Sequence, residues 1–166
     1  MFKSFQLKIA RSVTGIGVRE VALYLGVSRT IISRWEKQPP MKQIKTKKTS
    51  ADSLVFFFKQ HGILFPDENT VKLNSFVVIT PSVHLTRFQL RAARAALSLT
   101  QSRLAALTNI PISSINYLET QDNFTFLNTT NKNIDDIALK EFFQKSGLSF
   151  PDNLSICIMP NIQLIV

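Results

Sequence analysis

The sequence predicts a mainly α-helical protein with short β tails, built as two tandem copies of one unit, each a helical block followed by a β-hairpin. Three observations predict this. The chain matches itself when shifted by 83 positions. Apolar residues recur at helical spacing between glycine and proline breaks. An apolar, β-branched stretch closes each copy.

The repeat is explicit in the residues. At a shift of 83, Phe5-Gln6-Leu7 falls on Phe88-Gln89-Leu90, Ala10-Arg11 on Ala93-Arg94, Ala22 on Ala105, Ile32 on Ile115 and Glu36 on Glu119, giving 8 identities in 32 residues. At a shift of 85, Phe57-Phe58, Gly62 and Phe65-Pro66-Asp67 fall on Phe142-Phe143, Gly147 and Phe150-Pro151-Asp152. The second copy therefore carries two extra residues between its blocks. A period this long is a duplicated small domain and not solenoid spacing, which runs at roughly 20–50 residues. The units are assigned to residues 1–82 and 83–166.

In the first copy, Lys3 to Val13 forms an amphipathic helix that Gly15 and Gly17 end. Residues 1–19 carry Lys3, Lys8, Arg11 and Arg19 and no acid, as a mitochondrial presequence does. The same pattern recurs 83 residues later, so it reads as a first helix. Val18 to Leu25 places Val21, Ala22 and Leu25 on one face. Gly26 supplies a turn at positive φ. Ser28 is placed as N-cap of a helix from Arg29 to Lys37, ended by Pro39-Pro40. Lys42 to Thr49 reads as a basic loop, and Asp52 to Gln60 as a helix stopped by Gly62. Strands are expected in Val71 to Thr80, with Asn74-Ser75 as the hairpin turn.

The second copy repeats the plan. Helices are expected at Arg87 to Leu97, Gln101 to Leu107 (capped by Thr100), Pro111 to Leu118 and Asp135 to Lys145. Asn109 replaces the turn glycine, since Asn tolerates the left-handed region. Thr120 to Ile134 reads as a loop. Ile156 to Val166 reads as strand, turning at Met159-Pro160-Asn161.

Composition narrows the function. The 166 residues carry 20 Lys+Arg and 11 Asp+Glu, a net charge of +9, with 45% hydrophobic residues. That is enough apolar content for a core. The basic balance points to a polyanionic partner or surface. Cys157 is the single cysteine, so no internal disulfide forms. No apolar run approaches the ~18 residues of a membrane span, so no membrane partner is expected. Asn123-Phe-Thr, Asn128-Thr-Thr and Asn153-Leu-Ser match the glycosylation pattern by chance, with no secretory signal before them.

The segment from Gly17 to Glu36 resembles the helix-turn-helix of the phage repressor/Cro type, the lambda-repressor-like or XRE family. The likeness rests on Val21-Ala22, the turn Gly26-Val27-Ser28, and Ile32 and Trp35 followed by Glu36. Leu99 to Glu119 is closer still in its Leu-Thr-Gln and Leu-Ala elements. Each copy adds an upstream Arg and a downstream Glu. The resemblance implies two tandem lambda-repressor-like helix-turn-helix domains, each followed by a β-hairpin. It implies a cytoplasmic, nucleoid-associated regulator of transcription, commonly a repressor, with double-stranded DNA as partner.

A second helix entering a major groove needs one apolar side for the domain and one polar side for bases. Here Ile32 and Trp35 supply the first, and Arg29, Thr30, Ser33 and Arg34 the second. By resemblance, Arg29, Thr30 and Arg34 fall where the family reads base edges. Lys37, Lys42, Lys45, Lys47 and Lys48 would neutralise phosphates. The backbone at Gly17-Val18 would meet a phosphate at a helix N-terminus, although the family favours a polar Thr-Gln pair there. Arg11 with Glu36, and Arg94 with Glu119, take the family's place for a structural salt bridge and are not counted as ligands.

The copies are not equivalent. Residues 1–83 hold 13 Lys+Arg and 5 Asp+Glu, whereas residues 84–166 hold 7 and 6. The second copy shows Ile112, Ser113, Asn116 and Tyr117 where the first shows its base-reading set. Asn116 could read adenine, Gln101 could touch a phosphate by resemblance, and Arg87, Arg91 and Arg103 supply some charge. The other reading gives this copy to packing, partner binding or dimerisation.

The β tails are too apolar to stay exposed, and a lone hairpin is marginal in water. Pairing of both tails in one sheet would make an intrachain pseudo-dimer, with two recognition helices about 34 Å apart over an imperfect palindrome. Pairing between chains would give a homodimer instead.

Catalysis is not expected. His61 and His84 are scattered, Cys157 lies in an apolar stretch suited to a small core residue, and no zinc spacing or Gly-rich phosphate loop is present. Asp67 and Asp152 belong to turns. No cofactor and no metal are expected. The competing function is a protein-interaction module, such as an antitoxin or inhibitor, on the same scaffold.

Overall fold

The computed structural model describes residues 2–76, 78–131 and 133–159. The chain is mainly α-helical with a few short antiparallel strands. In order it forms α1 (Ser4–Thr14), α2 (Val18–Leu25), α3 (Arg29–Glu36), α4 (Lys48–Gln60), β1 (Ile63–Leu64) and β2 (Thr70–Leu73). Then come α5 (Arg87–Ala96), α6 (Gln101–Thr108), α7 (Ile112–Glu119), α8 (Leu127–Thr130), α9 (Asp136–Lys145), β3 (Leu148–Ser149) and β4 (Ser155–Ile158).

Helix ends follow local chemistry. The turn between α2 and α3 needs a residue at positive φ, and Gly26 supplies it at φ 67°. Asn109 does the same between α6 and α7 at φ 56°. Thr100 accepts the Arg103 N–H at 3.1 Å and caps α6. Asp135 accepts the Ala138 N–H at 3.0 Å and caps α9. Ser28 stands at the N-cap of α3, but its side chain makes no capping bond.

One set of interior glutamine hydrogen bonds recurs in both repeats. Gln6 accepts the Lys3 N–H and donates to the Asp67 and Thr70 carbonyls. Gln89 accepts the Thr86 N–H and donates to Asp152 and Ser155. Both glutamines are 1% exposed. Each therefore stitches a helix start to the hairpin that closes its repeat, and each is satisfied where an unpaired buried amide would be costly. The bridge Lys3↔Gln43 likewise recurs as Thr86↔Phe126.

The four strands make one sheet in the order β1-β2-β4-β3. β2 and β4 run antiparallel, with Val71 opposite Ile156 and Thr70 opposite Cys157. The Leu73 N–H donates to Leu154 and the Ile158 N–H to Asn69, at 2.8 and 3.0 Å. These are the same bond made twice, once in each direction, as an internal two-fold requires.

Helices α1 and α5 pack on each other beneath the sheet. Phe5, Leu7, Ile9 and Ala10 of α1, and Phe88, Leu90, Ala92 and Ala93 of α5, are fully buried. A helix buried on most sides must be central, which explains why α1 shows no broad polar face. Across this contact Lys8 donates to Ser98, and Arg91 donates to Ser12 at 3.0 Å.

Several expectations are corrected. The hairpin turn is not Asn74-Ser75. It lies across residues 65–69, where Asp67 accepts the Asn69 N–H at 2.7 Å and the Thr70 hydroxyl at 3.0 Å. The strand then ends at Leu73, and Phe76 and Val78 are almost wholly exposed. Lys48 is not in the loop but opens α4, which starts four residues before Asp52. The segment from Thr120 to Ile134 holds α8. Cys157 is half-buried on the less covered face of the sheet and not in the core. The turn expected at Met159-Pro160-Asn161, and the strand residues beyond it, lie outside the described residues.

Candidate nucleic-acid interface

Helix α3 presents two opposed faces. Ile32 and Trp35 are buried, whereas Arg29, Thr30 and Arg34 are exposed and Ser33 is half-buried. At 100° per residue, Arg29, Ser33, Lys37, Thr30 and Arg34 follow one another around an arc of about 140°. The apolar residues anchor the helix, so the arc faces outward at fixed orientation.

Around this arc lie three concavities. One of about 690 Å³ runs between the starts of α2 and α3, lined by Gly17, Val18, Arg19, Glu20, Arg29, Thr30 and Ser33. It unites two groups that sequence alone could only place on separate helices. A second, of about 920 Å³, brings Arg34 beside Lys45 and Lys47. A third, of about 680 Å³, joins Ser33 and Lys37 to Lys8 and to Ser98 of the second repeat. Lys42 and Lys48 are exposed but line none of these three.

Lys45, Lys47 and Lys48 lead into the start of α4, whose first turn holds no acid. A helix N-terminus carries partial positive charge, so cations there are unfavourable until an anion joins them. At α2 the opposite holds. Glu20 accepts the Gly17 N–H at 3.2 Å, so one backbone donor expected to meet a phosphate is already engaged.

Arg11 and Glu36 pair at the edge of the arc, where both line the concavity that holds Ser33 and Lys37. Arg11 reaches both oxygens of Glu36 at 2.6 and 2.8 Å and donates to the Ile16 carbonyl. The Glu36 hydrogen bond holds the Arg11 pKa above its ordinary value, against the opposing effect of burial. Arg94 pairs with Glu119 at 2.8 Å and donates to Leu99.

In the second repeat, α7 exposes Ile112, Ser113, Asn116 and Tyr117 over buried Ile115 and Leu118. Gln101 donates to Glu119 and accepts from Asn116 at 3.4 Å. The cations of α5 turn inward. Arg87 donates to the Glu119 carbonyl and to Asn123, and burial lowers its pKa, aided by Arg91. Arg91 bonds Ser12 and Glu119. Arg103 is exposed.

Sequence reading missed two groups. Lys8 is drawn into the α1–α5 contact, and burial lowers its pKa. Its counterpart Arg91 is also basic, which was the available signal. His84 bonds Asp136 at 2.9 Å, and Asp136 also accepts the Leu85 N–H. The first repeat has Ala51 at that place, so the repeat gave no hint.

Among the described residues, no group of three or more His, Cys, Asp and Glu could hold a metal ion, and no helix is long and apolar enough to cross a membrane. Set against family models, curated proteins and solved structures, the chain matches none of them.

Proposed function

We propose that this protein is a sequence-specific DNA-binding regulator of transcription, a repressor in its simplest mode, with two tandem helix-turn-helix units of the lambda-repressor-like kind. In this reading α3 lies in the major groove. Arg29 and Arg34 contact guanine edges, Thr30 and Ser33 contact neighbouring bases, and Lys37, Lys42, Lys45, Lys47 and Lys48 neutralise phosphates. The observation that carries the reading is the exposed arc Arg29–Ser33–Lys37–Thr30–Arg34, held outward by buried Ile32 and Trp35.

A second reading makes the chain a protein-interaction module. It draws on the exposed Ile112 and Tyr117 of α7, at 47% and 55%. Fold alone does not separate the two. The arginine arc and its lysine flank favour DNA.

Selection of bound sites from a random duplex library, at two salt concentrations, tests the first reading. A regulator enriches a defined motif. Binding without enrichment, lost at the higher salt, gives the lead to the protein-interaction reading.

A further inference from the structure

We propose that the two repeats read chemically different half-sites, so that the target is not a palindrome in its bases: a guanine-bearing half under α3 and an A·T half under α7. This rests on the DNA-reading function above.

The internal two-fold is the first support. A two-fold rotation leaves the component along its axis unchanged. The axis relates Val71 to Ile156, and Lys8 to Arg91 across the α1–α5 contact. Helices α3 and α7 therefore stand at the same level along it. Ser98 of the second repeat, between α5 and α6, lines one concavity with Ser33 and Lys37 of the first, so the α3 arc adjoins the second repeat.

The chemistry of the arcs is the second support. At equivalent places, Arg29 becomes Ile112, Thr30 becomes Ser113, Ser33 becomes Asn116, and Arg34 becomes Tyr117. In the major groove guanine offers two acceptors, which suit arginine. Adenine offers an acceptor and a donor, which suit an asparagine amide, and thymine offers a methyl group, which suits apolar contact. The α7 set holds no group for bidentate guanine contact. The α3 set holds no amide.

The third support is a hydrogen-bond relay found only in the second repeat. The Glu119 carboxylate accepts and cannot donate when ionised. It therefore takes the amide nitrogen of Gln101, which turns Gln101 Oε1 toward the Asn116 Nδ2. One Nδ2 proton and the Oδ1 of Asn116 remain for the groove, which is the donor–acceptor pair that adenine N7 and N6 require. The first repeat has Val18 and Ser33 at these places. Gln101 is thus a positioning residue rather than a phosphate ligand.

The test is duplex selection with the full chain and with Asn116→Ala and Arg29→Ala, each checked for an unchanged thermal unfolding midpoint. The selected site is then remade with uracil for thymine, or 7-deazaadenine for adenine, in one half at a time. The proposal expects a bipartite motif with guanine in one half and an adenine–thymine pair in the other. Asn116→Ala should remove the adenine preference in the A·T half only and weaken the selected site by about 5- to 150-fold, and Arg29→Ala should relax one position in the guanine half only. Base analogues should weaken binding only in the A·T half. Gln101→Val should blunt the adenine preference without lowering the salt slope. Guanine in both halves, or a single half with random flanks, would overturn the proposal and leave DNA reading by α3 intact. No enrichment at all would remove both.

Discussion

Val71 and Ile156 face each other across the middle of the four-stranded sheet, and each occupies the same place in its own repeat. Both are fully buried. The seam between repeats is therefore a continuous hydrogen-bonded ladder over a shared core. Ile156→Ala should cost about 2–5 kcal/mol. It should also leave a single unfolding transition for the whole chain, because β2 loses its neighbour when β4 is loosened. Urea unfolding followed by both far-UV dichroism and Trp35 fluorescence checks this. Separate transitions for the two signals would show that the seam does not couple the repeats.

Arg29→Ala and Arg34→Ala should each weaken the selected site by about 1–3 kcal/mol and relax the base preference at one position. Equal losses on every duplex would reassign these arginines to phosphate contact.

The lysines leading into α4 should behave differently. Replacing Lys45, Lys47 and Lys48 together by Ala should lower the slope of log K against log salt by about 2.7, at roughly 0.9 per phosphate. The base motif should be unchanged. Stability should hold or rise, since cations at a helix start are unfavourable. An unchanged salt slope would take these residues out of the interface.

The two ion pairs should differ in weight. Glu119 has a side chain 3% exposed and takes Arg91, Arg94 and Gln101, whereas Glu36 is 12% exposed and takes Arg11. Glu119→Gln strands two arginines and should cost about 3–5 kcal/mol. Glu36→Gln should cost less. Equal losses in urea unfolding would mean that the greater burial and extra partners of Glu119 add nothing.

Acid should loosen the second hairpin. Burial alone would raise the Asp152 pKa, but the Leu154 N–H, the Ser155 hydroxyl and Lys72 outweigh it and hold the pKa below the ordinary aspartate value. A depressed folded pKa contributes stability that is present above the unfolded pKa and lost as pH falls through the folded one. Asp152→Asn should therefore lower stability at neutral pH and flatten the loss below about pH 4. Amide exchange at Leu154 and Ser155 reports it. An acid limb identical to that of the unmodified chain would mean the carboxylate plays no such part.

Most helices were legible because they are long enough to show their period and end at a residue with a backbone reason to be there, whereas the four-residue α8 was not. Gly26 and Asn109 mark the same turn in both repeats, and α2 begins and ends where the apolar spacing places it. The strands were legible only in part: the stretches expected to be strand from Val71 and from Ile156 hold β2 and β4, whereas β1 and β3 left no signal. The strands run two to four residues, too short for an alternation to declare itself. Gln6 and Gln89 help fix their place from helices more than 60 positions away. The apolar run after Asn74 looked like a strand, yet the edge of β2 was already taken by β4. The inward turn of Arg87 and Arg91 was equally hidden, because it depends on Glu119, about 30 residues downstream, through its carbonyl for Arg87 and its carboxylate for Arg91. Of the outward arc, the residue types were readable. Their union with the α2 start and the lysine flank in adjoining concavities required the fold.

The β2–β4 ladder also sets how occupancy would respond to supply. Repeats that meet as separate molecules lose each other on dilution, and their joint binding then climbs steeply with concentration. Repeats sewn into one chain hold a fixed effective concentration of one for the other. Filling of a two-half site by this chain should follow the first power of its abundance, giving a graded dose response without a threshold.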